Sequence, residues 1–396
     1  MNKIFNTSVL ALALGISITA HSQAKDIKIA LVQDLTGVLA PYAKASVNGF
    51  NIGLDYATQG TRMVGGNKIV VVTRDNQGKP DVGKAQITAA FADDDADIAI
   101  GPVSSAVALA MLPVALEYKK ILIVDQSVAA SVTGDKSNRY VFRTQFNSDQ
   151  DAAANAAAMD KPGVSIATLA QDYAYGRDGV AALKKLLKNA TVVHEEYISP
   201  GTVDFTAPAQ RLLEALRDKT GPKIIYTIWA PPGNPYKILD LEPKRYGIDV
   251  FSSLNLTLAA LKEVKPYAGL EGSTSYYYGL LKNPMNDYLI EENTKRYNSP
   301  PDFGTVAGFN AALLAVQALK KTNGDAGADA LIGAIEDMEF DTPKGKFKIR
   351  KEDHQALQSM FHVRLKNDPS LEWAVPEMVE EIKPEQMTVT VGTWRK

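Results

Sequence analysis

The chain has 396 residues, which is too many for one ordinary hydrophobic core, so its length predicts two lobes. Hydrophobic residues make up 45% and charged residues 22%, a composition typical of globular proteins. The formal net charge is -2 and no long basic run is present, so neither nucleic acid nor an anionic membrane surface is an implied partner. There is no cysteine, which excludes a lipid-modified N-terminal cysteine, disulfides, thiolate metal sites and cysteine nucleophiles.

The first 24 residues have the features of a secretory signal peptide. Lys3 supplies a short positive region, residues 9–20 form an apolar stretch, and Ser22 and Ala24 are small residues at the two positions that a signal peptidase reads. We expect cleavage after Ala24 and export of the remaining chain to the periplasm. The alternative, a membrane anchor, needs about 20 consecutive apolar residues, and this stretch is shorter.

After the signal, short apolar runs alternate with helical patterns. The predicted strands cover residues 27–32, 68–73, 98–101, 121–124, 164–170, 192–197, 224–229, 250–254 and 273–278. Apolar residues recur at three- and four-residue intervals, as in amphipathic helices, over residues 47–57, 108–116, 179–187, 207–216, 258–264 and 303–321. This alternation predicts an α/β fold with parallel, doubly wound sheets whose strands are covered by helices on both faces.

Breaks in the pattern divide the chain between the two lobes. One set of strand and helix units ends near residues 147–162, and a second change of lobe is expected near residues 269–278. Residues 344–350 and 360–366 are strand-like and resemble a hairpin. We therefore assign residues 25–147 and 276–352 to lobe 1, and residues 148–275 and 353–396 to lobe 2.

Enzyme and metal signatures are scarce. The sequence has no Gly-x-x-x-x-Gly-Lys-Ser/Thr loop, no Gly-x-Ser-x-Gly elbow and no His-Glu-x-x-His motif. The three histidines that follow the signal lack metal-ligand spacing, and the acidic residues at 93–97 lack the glycine and terminal glutamate of a calcium loop. We therefore expect a protein that is not an enzyme and has no catalytic residue, cofactor or metal.

Polar residues follow two neighbouring first-lobe strands. Ser104 and Ser105 lie between strand 98–101 and a helical run, while Gln126 and Ser127 follow strand 121–124. The carboxyl ends of parallel strands face the ligand crevice, and a helix that begins there offers N–H donors to an anion. Simple capping of the helix by a serine explains Ser104 and Ser105 equally well.

Aromatic residues follow second-lobe strands in the same way. Tyr175 lies in a loop after strand 164–170, and Trp229 ends strand 224–229. Their flat apolar rings with polar tips suit an organic ligand. A buried position in the core is the alternative for each residue, and for Trp229 this alternative is almost as well supported as a ligand contact.

In order along the chain, these segments resemble the periplasmic binding proteins of branched-chain amino acid (Leu/Ile/Val-binding) type, which are receptors of ABC importers. The resemblance covers nearly the whole mature chain, and its landmarks are Leu35-Thr36-Gly37, Ala40-Pro41-Tyr42, residues 101–106, Arg143-Thr144, residues 172–176, Asp204-Phe205 and residues 340–355. It implies the type I fold, in which two Rossmann-like lobes joined by three hinge crossovers close on a ligand. It also implies, position by position, ligand contacts at Tyr42, Ser104, Ser105, Gln126, Ser127, Tyr175 and Trp229.

One position departs from the amino-acid-binding members of this family. Those members hold the ligand's ammonium with a glutamate after a second-lobe strand, where this chain reads Ser253-Leu254-Asn255. Asn255 is therefore an expected ligand contact, but it cannot neutralise a buried ammonium. Asp125 or Asp172 could take the place of the glutamate.

The resemblance and this departure together predict a receptor that captures a small organic carboxylate with an aromatic or other apolar body. The expected partners are the ligand and the permease subunits of an ABC importer in the inner membrane, and the receptor is expected to be a monomer. A receptor for a branched-chain or other apolar amino acid is the main alternative. A sensor subunit and a secreted hydrolase are less favoured, because Ser104 and Ser105 have no evident histidine partner.

Overall fold

The computed structural model describes residues 25–230 and 235–395, so the expected signal peptide lies outside the described residues. The described chain forms two α/β lobes, each built on its own sheet. This confirms the predicted mixed α/β fold with two lobes. The strands of both sheets are short and mostly buried, as expected where helices cover both faces.

Lobe 1 begins with six strands and three helices. The strands are β1 (Ile27–Gln33), β2 (Met63–Val64), β3 (Asn67–Asp75), β4 (Ile98–Ile100), β5 (Ile121–Val124) and β6 (Val141–Arg143). The helices are α1 (Ala40–Thr58), α2 (Pro80–Ala92) and α3 (Ser105–Tyr118). The sheet order is β2-β3-β1-β4-β5-β6, and every neighbouring pair except β2 with β3 is parallel.

The chain then crosses to lobe 2 at residues 144–147. The helices that follow are α4 (Ser148–Met159), α5 (Ala174–Leu186), α6 (Thr206–Arg217) and α7 (Leu258–Glu263). The strands are β7 (Ser165–Gln171), β8 (Thr191–Ile198), β9 (Lys223–Ile228), β10 (Ile248–Ser253) and β11 (Glu271–Thr274). These five strands are parallel and form one side of a seven-stranded sheet. Strand β11 ends at Thr274, before the predicted limit at residue 278.

After β11 the chain returns to lobe 1 and then crosses once more. Lobe 1 receives α8 (Pro284–Tyr297), α9 (Phe303–Lys321), α10 (Ala328–Ile335), β12 (Glu339–Thr342), β13 (Gly345–Ile349) and β14 (Ala356–Leu357). Lobe 2 is completed by β15 (Met360–Asn367) and β16 (Ala374–Ile382), which join its sheet in the order β16-β15-β11-β10-β9-β7-β8.

The predicted hairpin between residues 344–350 and 360–366 is wrong. Strand β13 pairs with β12 and β14, whereas β15 pairs with β11 and β16 in the other lobe. Strand β14 stays with lobe 1, where Gln355 also bridges to Arg143 of β6. The third crossover therefore falls at residues 358–359, later than the expected division after residue 352.

Helices α1 and α9 pack against each other in the lobe 1 core, with their backbones in close contact. A Cβ at Gly49 would lie 1.8 Å from the carbonyl oxygen of Thr305, and one at Gly308 would lie 1.9 Å from that of Ser46. Only glycine permits such an approach of the two backbones. By length and composition α9 is also able to cross a membrane, but it is buried inside this core. The tight packing fixes the cleft-facing ends of both helices.

The C-terminal segment, residues 388–395, runs from lobe 2 back to lobe 1. On the lobe 2 side, the backbone N–H of Thr390 donates to Asp149 at 3.2 Å. On the lobe 1 side, Arg350 donates to the carbonyl oxygen of Thr390 at 2.9 Å, and the N–H of Gly392 donates to Asp353 at 2.9 Å. This segment is a fourth link between the lobes, beside the three crossovers.

Candidate functional site

A cavity of about 50 Å³ lies between the lobes, at the carboxyl ends of the strands of both sheets. Larger hollows occur elsewhere, and one of them also contacts both lobes, but this cavity lies beside loops that directly follow strands of both sheets, which is where open α/β sheets bind ligands. Within the described chain its lining residues are Leu39, Tyr42, Val103, Ser105, Gln126, Val128, Phe146, Tyr173, Tyr175, Trp229, Ala230, Asn255 and Phe303. None of these described residues is charged at neutral pH.

The structure brings six of the eight expected ligand contacts to this cavity. They are Tyr42, Ser105, Gln126, Tyr175, Trp229 and Asn255. Ser104 and Ser127 lie in the same loops, but neither is among the described residues that line the cavity.

Ser104 is the N-cap of α3. Its side-chain oxygen accepts from the N–H of Val107 at 3.5 Å, and its own N–H donates to Asp34 at 3.4 Å. The N–H of Val103 also donates to Asp34, at 2.8 Å. The buried Asp34 carboxylate therefore holds this loop in place, and burial raises its pKa. The capping alternative applies to Ser104.

Ser105 is the first residue of α3 and presents the unpaired donors of the helix end to the cavity. Its hydroxyl oxygen accepts from the N–H of Ala129 at 3.2 Å, which leaves the hydroxyl proton for another acceptor. Among the described residues, the backbone N–H groups of Ser105 and Val128 have no acceptor. Both residues line the cavity, so three donors are available to an anion at a helix N-terminus.

Sequence reasoning missed Val128 because its apolar side chain carries no polar signal. Its backbone is what contributes, and a residue that follows a strand end by four positions offers no local sign of an unpaired N–H. Ser127, which was expected at the ligand, instead donates to the carbonyl oxygens of Pro102 at 2.7 Å and Val103 at 3.0 Å. It joins the two loops that form this wall.

Aromatic rings form most of the remaining wall. Tyr173 and Tyr175 lie with ring centroids 6.0 Å apart, and Trp229 packs edge-on against Phe205 at 5.2 Å. Gln171, at the end of β7, exchanges two hydrogen bonds with the backbone of Ala230, at 2.7 and 3.0 Å. This pairing fixes the chain next to Trp229 relative to the tyrosine loop.

Lobe 1 and the first crossover supply the opposing rings. Tyr42 and Phe303 stand edge-on with centroids 6.0 Å apart, and Phe146 approaches Phe303 at 6.1 Å. Tyr42 is on α1 and Phe303 begins α9, so the close packing of these helices positions both rings. Phe146 and Phe303 were not predicted, because Phe146 follows β6, a strand that the sequence pattern did not reveal, and Phe303 begins a helix.

Neither aspartate that could replace the ammonium-binding glutamate lies on the cavity wall. Asp125 is fully buried and accepts from Gln33 at 2.8 Å and from Ser46, and burial raises its pKa to about 6. Asp172 is exposed and forms an ion pair with Arg177 at 2.6 Å. Both carboxylates are therefore used elsewhere in the structure.

One further carboxylate lies behind the lobe 2 wall. Asp151, on α4, accepts from Ser273 and, at 3.5 Å, from the side-chain amide of Asn255. Burial raises its pKa to about 6. Asn255 lies between this carboxylate and the cavity, so Asp151 does not itself line the cavity.

The two lobes also touch directly at the cleft edge. Asp178, on α5 of lobe 2, accepts from the N–H of Ser131 at 2.9 Å and from its hydroxyl at 2.8 Å. Ser131 lies in the lobe 1 loop that follows β5. These bonds join the two lobes in this structure.

Comparison with known proteins gives consistent results. Residues 26–369 match the model of a family described as periplasmic binding protein. A "Leu/Ile/Val-binding protein homolog 6" from Brucella suis biovar 1 is 24% identical over 375 residues, which are 91% of this chain and 92% of the relative.

Two crystal structures extend this likeness. An "ABC-type branched-chain amino acid transporter" from Rhodopseudomonas palustris CGA009 is 55% identical, covers 92% of this chain and 99% of its own, and has a TM-score of 0.82. An ABC-transporter solute binding protein from R. palustris, in complex with benzoate, is 25% identical, covers 89% and 96%, and has a TM-score of 0.77.

Proposed function

The chain belongs to the periplasmic binding protein family, and we propose that it is the receptor of an ABC importer for a small organic acid with an aromatic or other apolar body. The importer role is supported by the 55% identical structure, which is named as part of such a transporter. On this proposal the mature chain works in the periplasm as a monomer, without catalysis, and delivers its ligand to permease subunits.

The cavity wall is the observation that carries the ligand class. Aromatic rings surround a space that contains no charged side chain among the described residues. A cluster of free donors lies at Ser105 and Val128, where a helix N-terminus favours negative charge. A carboxylate would pair with these donors while its apolar body packs against the rings.

An ammonium group in the same cavity would lose its water and meet no carboxylate. The cost of burying an unpaired charge is several kcal/mol after relaxation, about the whole binding energy of a weak ligand. The benzoate-bound R. palustris structure supports an acid that lacks an ammonium.

A branched-chain amino acid is the second candidate. The 55% identical structure and the Brucella relative both carry that ligand in their names. Asp151 is the carboxylate that would then have to serve the ammonium, through a shift of Asn255.

A ligand panel separates the two candidates. The protein is unfolded in denaturant, dialysed to remove any bound solute, refolded and tested by thermal shift and calorimetry. Benzoate, hydroxybenzoates and phenylpropanoate should raise the melting temperature, since a ligand at about 100 times its Kd adds roughly 2.7 kcal/mol of stability. If leucine or phenylalanine stabilises the protein while all the acids have no effect, the organic-acid proposal is wrong.

A further inference from the structure

Arg143, the last residue of β6, is a cation buried inside lobe 1. Its side chain is 0% exposed, although arginine is almost never fully buried without a charged partner. Its Nε donates to the side-chain oxygen of Gln355 at 2.7 Å, and Nη2 donates to the hydroxyl oxygen of Thr133. Its Nη1 donates to the carbonyl oxygens of Ser127 at 3.1 Å and Ala129 at 2.7 Å. All four of these acceptors are neutral, so the guanidinium is hydrogen-bonded without a counter-ion among them.

The carboxylates of lobe 1 and its surroundings do not make up for this burial. Burial of the guanidinium lowers its pKa to about 9, against the opposing effect of Asp353, Asp149 and Asp178, which act without contact. Asp353 is itself paired with Arg350 at 2.6 Å. A buried charge that lacks a contacting partner is costly, so a further negative charge near Arg143 would be stabilised.

The hydrogen bond to Ser127 connects Arg143 with the anion site. The carbonyl of Ser127 and the N–H of Val128 belong to one trans peptide unit, so they point in opposite directions. The carbonyl is directed at the guanidinium, the N–H is therefore directed away from it, and Val128 lines the cavity. A cation at the carbonyl end polarises the peptide unit and makes its N–H a stronger donor.

The second hydrogen bond of Nη1 fixes the other side of the anion site. Ala129, whose carbonyl oxygen accepts from Arg143, donates its own N–H to the hydroxyl of Ser105 at 3.2 Å. The donors of both Ser105 and Val128 are therefore held by a loop that is anchored to one buried charge.

We propose that Arg143 is the positioning residue of the anion site, which orients the donors for the ligand's carboxylate and attracts this carboxylate through the Ser127–Val128 peptide without contacting the ligand. The inference rests on the proposed function only for the carboxylate, which organic acids and amino acids share. It gives a source of positive charge to a cavity whose described wall contains no charged side chain. A purely structural role, in which Arg143 only ties the loop after β5 to Gln355, would support charged and neutral ligands equally.

The test compares each acid with its primary carboxamide, which has nearly the same shape but no negative charge. Calorimetry provides the Kd values of benzoate and benzamide, of 4-hydroxybenzoate and its amide, and of leucine and leucinamide. We define the selectivity as the Kd of the amide divided by the Kd of the acid. The wild-type protein should have a selectivity of about 30-fold or more for at least one pair.

Two substitutions of Arg143 separate its charge from its hydrogen bonds. Arg143→Gln keeps a donor but removes the charge, and it should reduce the selectivity to about threefold or less. Arg143→Lys keeps the charge and should retain about tenfold or more. Arg139→Gln is the matched control, since it removes an exposed arginine that is paired with Asp329, and it should leave the selectivity unchanged.

Thr133 allows a second test with Arg143 in place. Its hydroxyl accepts from Nη2 of Arg143, so Thr133→Asp places a carboxylate beside the guanidinium, whereas Thr133→Asn has the same shape without the charge. Thr133→Asp should have a selectivity about tenfold lower than that of Thr133→Asn, because the guanidinium then already has a partner. This pair tests the inference even if Arg143→Gln does not fold.

Three results would overturn the inference while the proposed function stands. Arg143→Gln could fold and keep the wild-type selectivity, or it could weaken acid and amide by the same factor, which is the result of a structural role alone. The third is equal selectivity of Thr133→Asp and Thr133→Asn. If leucine binds and the simple acids do not, the organic-acid proposal fails, while leucine and leucinamide still test Arg143. If no acid binds more tightly than its amide, the anion site is wrong and both proposals fail.

Discussion

Replacing Ser105 by alanine tests the anion site at the start of α3. The substitution removes the one side-chain hydroxyl among the three donors that this site offers. Hydrogen bonds to charged groups contribute about 1.5–3 kcal/mol, and about 1.4 kcal/mol corresponds to a tenfold change in affinity. We therefore expect Ser105→Ala to raise the Kd for a carboxylate ligand by roughly 10- to 100-fold.

Ser104→Ala is the matched control, one residue earlier in the same loop. Ser104 caps α3 and does not line the cavity, so this variant should lose about 0.5–2 kcal/mol of stability and keep its ligand affinity within about twofold. Ser105→Ala also loses the acceptor for the N–H of Ala129, so some loss of stability is expected there too. What distinguishes the two variants is affinity.

The measurement is calorimetric titration with the tightest acid of the panel, well below the melting temperature of each variant. Urea unfolding provides the stability of each variant separately. If Ser105→Ala binds as tightly as the wild type, or if Ser104→Ala loses more affinity than Ser105→Ala, the assignment of the carboxylate to this helix end is refuted.

Four other predictions concern features outside the cavity wall. Asp178→Ala removes the hydrogen bonds to Ser131 that join the two lobes, so ligand affinity measured by calorimetry should fall about 5- to 30-fold. Asp172→Ala is the control: it removes only an exposed ion pair and should leave the affinity unchanged. Small-angle scattering should also show contraction on saturation with ligand, and an unchanged profile with binding confirmed would contradict hinged closure. Asp125 has its pKa raised to about 6 by burial, so the folded protein holds this proton up to about pH 6 and loses stability as pH rises through that value. Asp125→Asn should therefore gain about 1 kcal/mol relative to wild type between pH 5 and pH 8 in urea unfolding, and an equal difference at both pH values would count against the shift. Intact mass of the exported protein should correspond to a chain that starts at Lys25, and a mass that includes residues 1–24 would exclude cleavage.

The sequence allowed the strands and the large helices to be predicted because their signals are local. Residues 303–321 form α9 with the predicted limits, and the predicted strand at residues 121–124 is β5 without change. The choice of the strand with which each strand pairs is not encoded locally in the sequence. Residues 345–349 and 360–367 alternate buried and exposed side chains in a similar way. The first segment nevertheless pairs with β12 and the second with β11, because each pairs with the sheet edge that the folded chain places beside it.

The difference between Ser104 and Ser105 shows where prediction of the site stops. Adjacent residues at a helix start point in directions about 100° apart, so a shift of one residue in the helix limit decides which serine meets the ligand. The limit depends on Asp34, which binds the N–H groups of Val103 and Ser104 from a loop 69 and 70 residues earlier in the chain. No local pattern contains that contact.

The sequence was equally unable to predict which carboxylate could pair with a ligand's ammonium group. The sequence offered Asp125 and Asp172 because each follows a strand, but one is bonded to Gln33 inside the core and the other to Arg177 at the surface. Asp151, which contacts the cavity-lining Asn255, is on a helix that the sequence pattern showed only as a break between lobes. Asn255 stands before it with both ends of its amide engaged: its oxygen accepts from the N–H of Ser275 at 2.7 Å and its nitrogen donates to Ser253 at 3.1 Å. An ammonium would have to break this arrangement to reach Asp151, whereas an acid without an ammonium leaves it intact, and that asymmetry favours the organic acid.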